Sequence, residues 1–221
     1  TRGRIHCAIV YRAPYGGGIH APEHHSESTE ALFAHIPGIR VVIPSSPARA
    51  YGLLLAAIRD PDPVVFLEPK RIYRLIKQDV PDDGKALPLD QSFILREGDD
   101  ITLITWGAMT NETTQAAKQL AQQGINAEVI DLATIKPIDT NTIINSVEKT
   151  GRCVIIHEAA RTCGVGAEIA AQIAEYALDA LQAPIQRVTG YDTVMPYFQL
   201  EKHYLPSVEQ IIKTVKATME Y

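Results

Sequence analysis

Short runs of apolar residues alternate with amphipathic helical patterns along the whole chain. In the first part, the pattern predicts strands at 5–11, 40–44 and 64–68, with helices at 28–36 and 47–59. In the second part, it predicts strands at 101–106, 127–131, 153–157 and 185–189, with helices at 110–123, 139–149, 167–181 and 206–219. This alternation is typical of mainly parallel sheets covered by helices. The sequence therefore predicts an α/β protein made of two such units.

Breaker residues divide the two units. Residues 77–85 are polar, contain proline and glycine, and show no periodicity, which is typical of a linker. We therefore predict a first domain over 1–75, a linker over 76–98 and a second domain over 99–221. The first domain holds fewer elements than the second, and we expect it to be incomplete.

Composition excludes several classes of protein. A hydrophobic content of 46% and a charged content of 21% in 221 residues describe an ordinary globular chain. The net charge of -5 argues against nucleic-acid binding, and the apolar run at 52–58 is too short to span a bilayer. Cys7, Cys153 and Cys163 lack metal-ligand spacing and are typical of reduced thiols in a cytoplasmic protein. Because Thr1 leads almost directly into a strand, we expect that an upstream segment is missing.

A glycine-rich loop carries the first candidate for chemistry. Residues 16–18 are consecutive glycines, and the loop delivers His24 and His25 to the start of a helix. Glycines let the backbone approach a ligand closely, and histidine transfers protons near neutral pH. The adjacent helix N-terminus favours a carboxylate or phosphate group. An ordinary surface loop with incidental histidines is an equally good interpretation of these residues alone.

Three other segments give weaker signals. Residues 157–168 follow a predicted strand and contain His157 and two glycines, but a structural turn, with His157 capping or pairing Glu158, explains them better. The polar and aromatic residues at 190–197 are typical of either an interface or a turn. Asp60 and Asp62 could hold a cation, although an Asp-Pro-Asp-Pro run more often ends a helix.

The order of these segments resembles one family over essentially all 221 residues. The matching stretches are 13–18, 25–31, 37–47, 62–73, 128–132, 136–139, 147–152, 157–159 and 183–192. They resemble the β subunit of the thiamine-diphosphate-dependent 2-oxo acid dehydrogenases, the decarboxylating first component of those complexes. The resemblance implies two transketolase-type α/β domains: the C-terminal part of a pyrimidine-binding domain over 1–75 and a transketolase C-terminal domain over 99–221.

The resemblance also implies cofactors and partners. The family forms an α2β2 heterotetramer with a β–β contact, and its α subunit holds the diphosphate of the cofactor and Mg²⁺. The glutamate that activates thiamine diphosphate is expected upstream of Thr1, so this chain alone is expected to be inactive. The β subunit also contacts the lipoyl acyltransferase core through its peripheral subunit-binding module. The implied location is the cytoplasm of a bacterium, or the mitochondrial matrix in a eukaryote.

Two sets of site residues follow from the family pattern. The His-Ser-x-Ser match places the active-site histidine on His25, which is expected to orient the substrate carboxylate and supply a proton; His24 receives no role. Some relatives hold a structural potassium ion. The matching positions for that ion are Cys7, Ile9, Val10, Ala57, Asp60 and Asp62.

The resemblance leaves the substrate open between two branches. The runs 67–73, 150–159 and 187–193 favour a branched-chain acid, 2-oxoisovalerate, with pyruvate as the close alternative. A single-chain transketolase or deoxyxylulose-phosphate synthase relative is a second enzyme hypothesis. A non-catalytic fragment that serves assembly and docking is the hypothesis from another class.

Overall fold

A four-stranded sheet forms the first half of the computed structural model, which describes residues 6–21 and 23–221. Its strands lie in the order β1-β3-β2-β7. Their bounds are β1 (Val10–Tyr15), β2 (Arg40–Val42), β3 (Val64–Pro69) and β7 (Thr134–Lys136). The first three are parallel, and β7 pairs antiparallel with β2. Helices α1 (Glu30–Ala34) and α2 (Pro47–Arg59) connect the parallel strands.

A five-stranded sheet forms the second half, in the order β4-β6-β5-β8-β9. Its strands are β4 (Phe93–Arg96), β5 (Ile101–Thr105), β6 (Ala127–Asp131), β8 (Cys153–Ile156) and β9 (Gln186–Val188). All pairs are parallel except β4 with β6. The helices of this half are α3 (Met109–Ala121), α4 (Thr140–Thr150), α5 (Val165–Tyr176), α6 (Phe198–Tyr204) and α7 (Val208–Met219). The α/β class expected from the sequence, with two mainly parallel sheets covered by helices, is confirmed by this topology.

Capping side chains explain where several helices begin and end. The Ser46 hydroxyl accepts the Arg49 N–H at the start of α2 at 3.3 Å, and Pro47 provides the first helical position. Ser207 and Gln210 form a reciprocal capping box at the start of α7. Gly151 ends α4 with a φ of 67°, a left-handed backbone conformation that glycine adopts without strain.

The first strand lies four to five residues later than the sequence pattern predicts. The prediction covers 5–11, whereas β1 occupies 10–15 and contains Pro14; residue 5 lies outside the described residues. Because β1 is at the edge of its sheet, the missing N–H of Pro14 leaves no central ladder bond unmade. The pattern also misses β4, β7 and α6, which have only four, three and seven residues.

The two halves share one hydrophobic core. The largest buried cluster contains Tyr15 and Val41 from the first half with Trp106 and Ile155 from the second. Strand β7 comes from the predicted second domain yet completes the first sheet, and β4 lies inside the predicted linker. The two halves are therefore joined by a shared hydrophobic cluster and by β7. The predicted domain boundaries stay a prediction. Within the described residues, none of the helices combines the length and apolar character needed to cross a membrane.

Candidate active site

The carboxyl ends of both sheets meet at one place. Trp106, directly after β5, donates its Nε1 hydrogen to Glu30 Oε1 of α1 at 3.2 Å. A Cβ on the next residue, Gly107, would lie 3.2 Å from Pro69 at the end of β3 and 4.0 Å from the Tyr15 ring at the end of β1. Open α/β sheets bind ligands at this edge. The topology therefore brings the candidate loops of both halves together.

The glycine loop packs directly against side chains at this junction. Gly16 and Gly18 have φ values of 79° and 81°, which non-glycine residues rarely adopt. A Cβ at Gly16 would overlap the carboxylate of Glu158, and a Cβ at Gly18 would overlap the side chain of Arg71. The glycines thus serve both the turn and the close approach of the backbone to ionisable groups.

His25 lies at the far end of this loop. It belongs to a single 3-10 turn, Glu23–His25, and its side chain is exposed. The Lys70 ammonium, directly after β3, donates to the His25 carbonyl oxygen. The Ser26 hydroxyl donates to the Ala21 carbonyl at 2.5 Å and closes the turn. The imidazole is therefore exposed while the main chain of the same residue is bonded to Lys70, and its role as the catalytic histidine stays a prediction.

The neighbouring His24 has a different environment. Its side chain is also exposed, and its Nδ1 lies 3.3 Å from Glu27 Oε1. Glu27 also supplies the carbonyl that accepts the Gly16 N–H at 2.9 Å. His24 thus lies next to a residue that closes the loop, while His25 has its main chain tied to the end of β3.

Glu158 provides an acidic group in the interior beneath the loop. It is 3% exposed, and neither carboxylate oxygen has a hydrogen-bond partner within the described residues. Burial raises the pKa of Glu158 to about 7, an effect that Arg71 opposes and that Glu30 and Glu112 increase. Burial likewise raises the pKa of Glu30. Both carboxyl groups of the junction are therefore shifted toward their protonated forms relative to exposed carboxyl groups.

His157 is part of the core. Its side chain is 0% exposed, its ring stacks on Trp106 at a centroid distance of 5.1 Å, and neither ring nitrogen has a hydrogen-bond partner within the described residues. Burial lowers the pKa of His157 to about 4, and the charges of Arg187 and Arg161 act in the same direction. The expected pairing with Glu158 does not occur, and His157 is uncharged at neutral pH.

Arg71 supplies a second cation next to the loop. Its guanidinium forms a two-pronged pair with Glu112 of α3, with Nη2 to Oε2 at 3.1 Å and a second bond from Nη1 to Oε1. Both side chains are less than one-fifth exposed. The sequence pattern predicts no role for Arg71, Glu112 or Glu30, because their side chains meet their partners only when segments distant in the chain pack together.

The predicted potassium positions fall around the start of β1 and the end of α2. The Cys7, Ile9 and Ala57 carbonyls each accept a main-chain hydrogen bond, from Ile9, Val64 and Asp60. Val10 begins β1 opposite Val64. The Asp60 carboxylate pairs with Arg40 Nε at 3.0 Å and accepts the Asp62 N–H at 2.8 Å.

These contacts place the start of β1 close to the end of α2, but they do not show an ion between the two segments. Among residues 6–21 and 23–221, no group of three or more His, Cys, Asp or Glu side chains has the arrangement of a metal site. Such a group consists of side chains only, whereas a potassium ion can also be held by main-chain carbonyl oxygens. The potassium site stays a prediction.

Comparison with known protein families agrees with the two-domain interpretation. The transketolase pyrimidine-binding domain matches residues 1–76, and the transketolase C-terminal domain matches residues 90–211. The "pyruvate dehydrogenase E1 component subunit beta" of Bacillus subtilis is 46% identical over 219 residues, which cover 99% of this chain and 67% of that protein. The protein of the same name from Staphylococcus epidermidis is 46% identical over 213 residues, covering 96% and 66%.

Solved structures show the same fold. A split-gene transketolase, described as an inactive beta4 tetramer, superposes with a TM-score of 0.80 at 25% identity over 99% of this chain and 70% of its own. A mutant transketolase from Pichia stipitis gives 0.66 at 16% identity over 96% and 30%, which concerns the fold alone. The chain spans about two thirds of the length of its curated relatives. It belongs to the transketolase-type family that includes the beta subunits of pyruvate dehydrogenase E1 components.

Proposed function

We propose that this chain is the β subunit of a thiamine-diphosphate-dependent 2-oxo acid dehydrogenase that acts on pyruvate and transfers the acyl group to a lipoyl group. The observation that carries the proposal is the 46% identity, over 99% of the chain, with a pyruvate dehydrogenase E1 beta subunit. The branched-chain preference expected from sequence runs finds no support in these relatives, and pyruvate, the expected alternative, fits them better.

His25 is the residue proposed to act on the substrate. Its exposed imidazole can donate a hydrogen bond to the carboxylate of a 2-oxo acid, and imidazole is the side chain most often used for general acid–base catalysis. The Lys70 ammonium, bonded to the His25 carbonyl, adds positive charge at the same residue. Both features suit an anionic substrate that approaches from outside this chain.

The cofactor is proposed to be shared with a second subunit. Thiamine diphosphate, when bound, supplies a nucleophilic carbon for attack on the oxo group. The described residues hold no acidic cluster for the magnesium ion that accompanies a diphosphate. They do not fit that end of the cofactor, so its diphosphate and Mg²⁺ are assigned to an α subunit. This chain contributes the loop with His25, and none of its residues is assigned the activation of the cofactor.

The surface near the loop supports a role in an assembly. The segment 191–200 exposes several large apolar side chains, namely Tyr191, Val194, Tyr197, Phe198 and Leu200. Such a patch on a chain with an outward-facing site suits a subunit interface. The proposed partners are an α subunit, a second β subunit and the lipoyl acyltransferase core, with the cytoplasm of a bacterium as the location.

The first experiment compares two substrates on the complex. The complete β chain is co-purified with its α partner and thiamine diphosphate, and decarboxylation of pyruvate and 3-methyl-2-oxobutanoate is measured side by side. We expect kcat/KM to favour pyruvate by about tenfold or more, the discrimination that a few extra methyl groups allow. A preference for the branched acid would retain the family and overturn the substrate. Activity with neither acid in a folded tetramer would favour the docking-fragment hypothesis.

A further inference from the structure

We propose that Glu201 is a positioning residue that holds the glycine loop and thereby presents His25. The Glu201 side chain lies in α6, at the other end of the chain from the loop. Its carboxylate accepts the Gly18 N–H at 2.6 Å through Oε1 and the His20 N–H at 3.2 Å through Oε2. This inference rests on the proposed role of His25 and adds a residue to it.

The loop backbone is shaped for this contact. Gly18 has a φ of 81° and His20 a φ of 62°, both in the left-handed region. With this backbone, the N–H groups of Gly18 and His20 point toward one carboxylate, an arrangement that binds anions in other turns. A non-glycine residue such as His20 adopts this conformation at a cost of about 1 kcal/mol or more, so a compensating contact is expected.

Glu201 is buried where it makes these bonds. The residue is 4% exposed, and each of its oxygens accepts a hydrogen bond from the loop. The His20 side chain adds to the contact, with Nε2 at 3.8 Å from Glu201 Oε2 and its ring 5.9 Å from the Phe198 ring. A buried carboxylate that accepts two N–H groups contributes more than an exposed ion pair.

The two ends of the loop have separate anchors. Glu201 holds the half that contains Gly18 and His20, and Lys70 holds the half that ends at His25. Lys70 belongs to the first half of the protein and Glu201 to the second. The position of His25 therefore depends on the packing of both halves, and loosening either anchor widens the range of positions that the imidazole samples.

The chemistry of the contact distinguishes substitutions at position 201. A carboxylate can accept both N–H groups, whereas the amide of glutamine offers one oxygen and turns an N–H group toward the second donor. Glu201→Gln therefore leaves one buried amide unpaired, and Glu201→Ala leaves two. Glu175→Gln on the exposed face of α5 changes the charge equally and serves as the matched control.

The test combines local exchange with kinetics on the full complex. For Glu201→Gln we expect hydrogen exchange of the 16–25 amides to rise about tenfold and kcat/KM to fall about tenfold, the effect of losing one bond to a charged acceptor. Glu201→Ala should exceed both changes, and Glu175→Gln should produce neither. In the double variant with His25→Gln, the Glu201 effect on kcat/KM should vanish, because the loop then has no imidazole to present.

Two results would overturn the proposal. One is unchanged exchange of the loop in Glu201→Gln; the other is a Glu201 effect that adds in full to that of His25→Gln, as a general loss of stability would. Should Glu201→Ala fail to fold, Glu201→Gln alone decides both points. An inactive wild-type complex would refute the proposed function only, and the exchange of the 16–25 amides would still decide whether Glu201 anchors the loop.

Discussion

Two segments of this protein look alike in sequence and differ in the structure: the glycine loop that ends at His25 and the turn that begins at His157. Each follows a strand of a mainly parallel sheet, and each has glycines close by. His25 is exposed on a surface turn, whereas His157 is 0% exposed and stacked on Trp106. The comparison shows that a histidine after a strand is only a candidate. What covers it, from distant parts of the chain, decides whether it meets solvent or core.

The electrostatic contrast follows from the same burial. His157 and Glu158 are adjacent, and the interior shifts both toward their neutral forms. For the histidine this means a lowered pKa and for the glutamate a raised one. Neither shift needs a specific partner, because removal of water is the largest cause of each.

The largest effect is expected at His25. In the assembled complex, His25→Gln should lower kcat/KM for pyruvate about a thousandfold, within the range for loss of a general acid or base. The neighbouring His24→Gln is the matched control, and its kcat/KM should stay within about twofold of the wild-type value, because no role is assigned to this imidazole. Steady-state decarboxylation assays check both. Equal losses at His24 and His25 would indicate that the loop, and not one imidazole, matters.

Glu158→Gln is expected to remove a loss of stability that the wild-type chain undergoes as the pH rises toward 7. Burial raises the pKa of Glu158 from 4.5 to about 7, so between these pH values the unfolded chain has lost the proton that the folded chain keeps. Wild-type stability therefore falls through this window, by up to about 3 kcal/mol from this group. Urea unfolding should show the variant matching wild type near pH 4.5 and exceeding it above pH 7. A constant difference at all pH values would contradict the assignment.

His157→Leu is expected to change the acidic side of the dependence of the unfolding free energy on pH. Burial lowers the pKa of His157 from 6.5 to about 4, so on acidification the unfolded chain gains a proton before the folded chain does. The wild type therefore loses about 2 kcal/mol from this group between pH 6.5 and pH 5. The leucine variant should lack that loss in urea unfolding. Because neither ring nitrogen has a hydrogen-bond partner, its activity per folded molecule should stay within about threefold.

The smallest effect concerns the thiols. Cys163, at the tip of the second segment, is exposed, whereas Cys153 in β8 is buried and burial raises its pKa. In the isolated native chain, a thiol reagent such as DTNB should label the exposed Cys7 and Cys163 and spare Cys153 until urea is added. Cys163→Ser should lower the native-state labelling from two thiols to one and change the free energy of unfolding by less than about 0.5 kcal/mol. Labelling of Cys153 in the native chain would show that the strand opens locally.

Local signals explain which elements could be predicted. Helix α2 begins and ends at the predicted residues, because Ser46 and Pro47 start it and the Asp-Pro-Asp-Pro run stops it. Strand β6 occupies the predicted residues 127–131, a short apolar stretch between a helix that ends near Gly124 and the next turn. Strand β7 escaped prediction because three residues carry no period, and only the pairing of Val41 with Lys136 and of Val42 with Thr134 defines it.

The residues of the candidate site also fall into two groups, those with a local signal in the sequence and those that meet only through long-range contacts. The glycine loop and His25 could be found from the sequence, because consecutive glycines and a family motif leave a local signature. Glu201 could not, since its contact with Gly18 spans 183 residues and a lone glutamate in a short helix has no distinguishing pattern. Arg71 and Glu112 likewise meet only after α3 packs against the end of β3.

Local propensity, periodicity and ordered motifs were enough to predict the alternation of strands and helices, the two-unit organisation, the glycine loop and the family. Packing of distant segments was needed to bring the carboxyl ends of both sheets to one junction, to bury His157 while leaving His25 exposed, and to place Glu201 against the loop. Burial and long-range hydrogen bonds arise from residues far apart in the chain. Their free energies depend on which groups lose water together, a property of the packed structure.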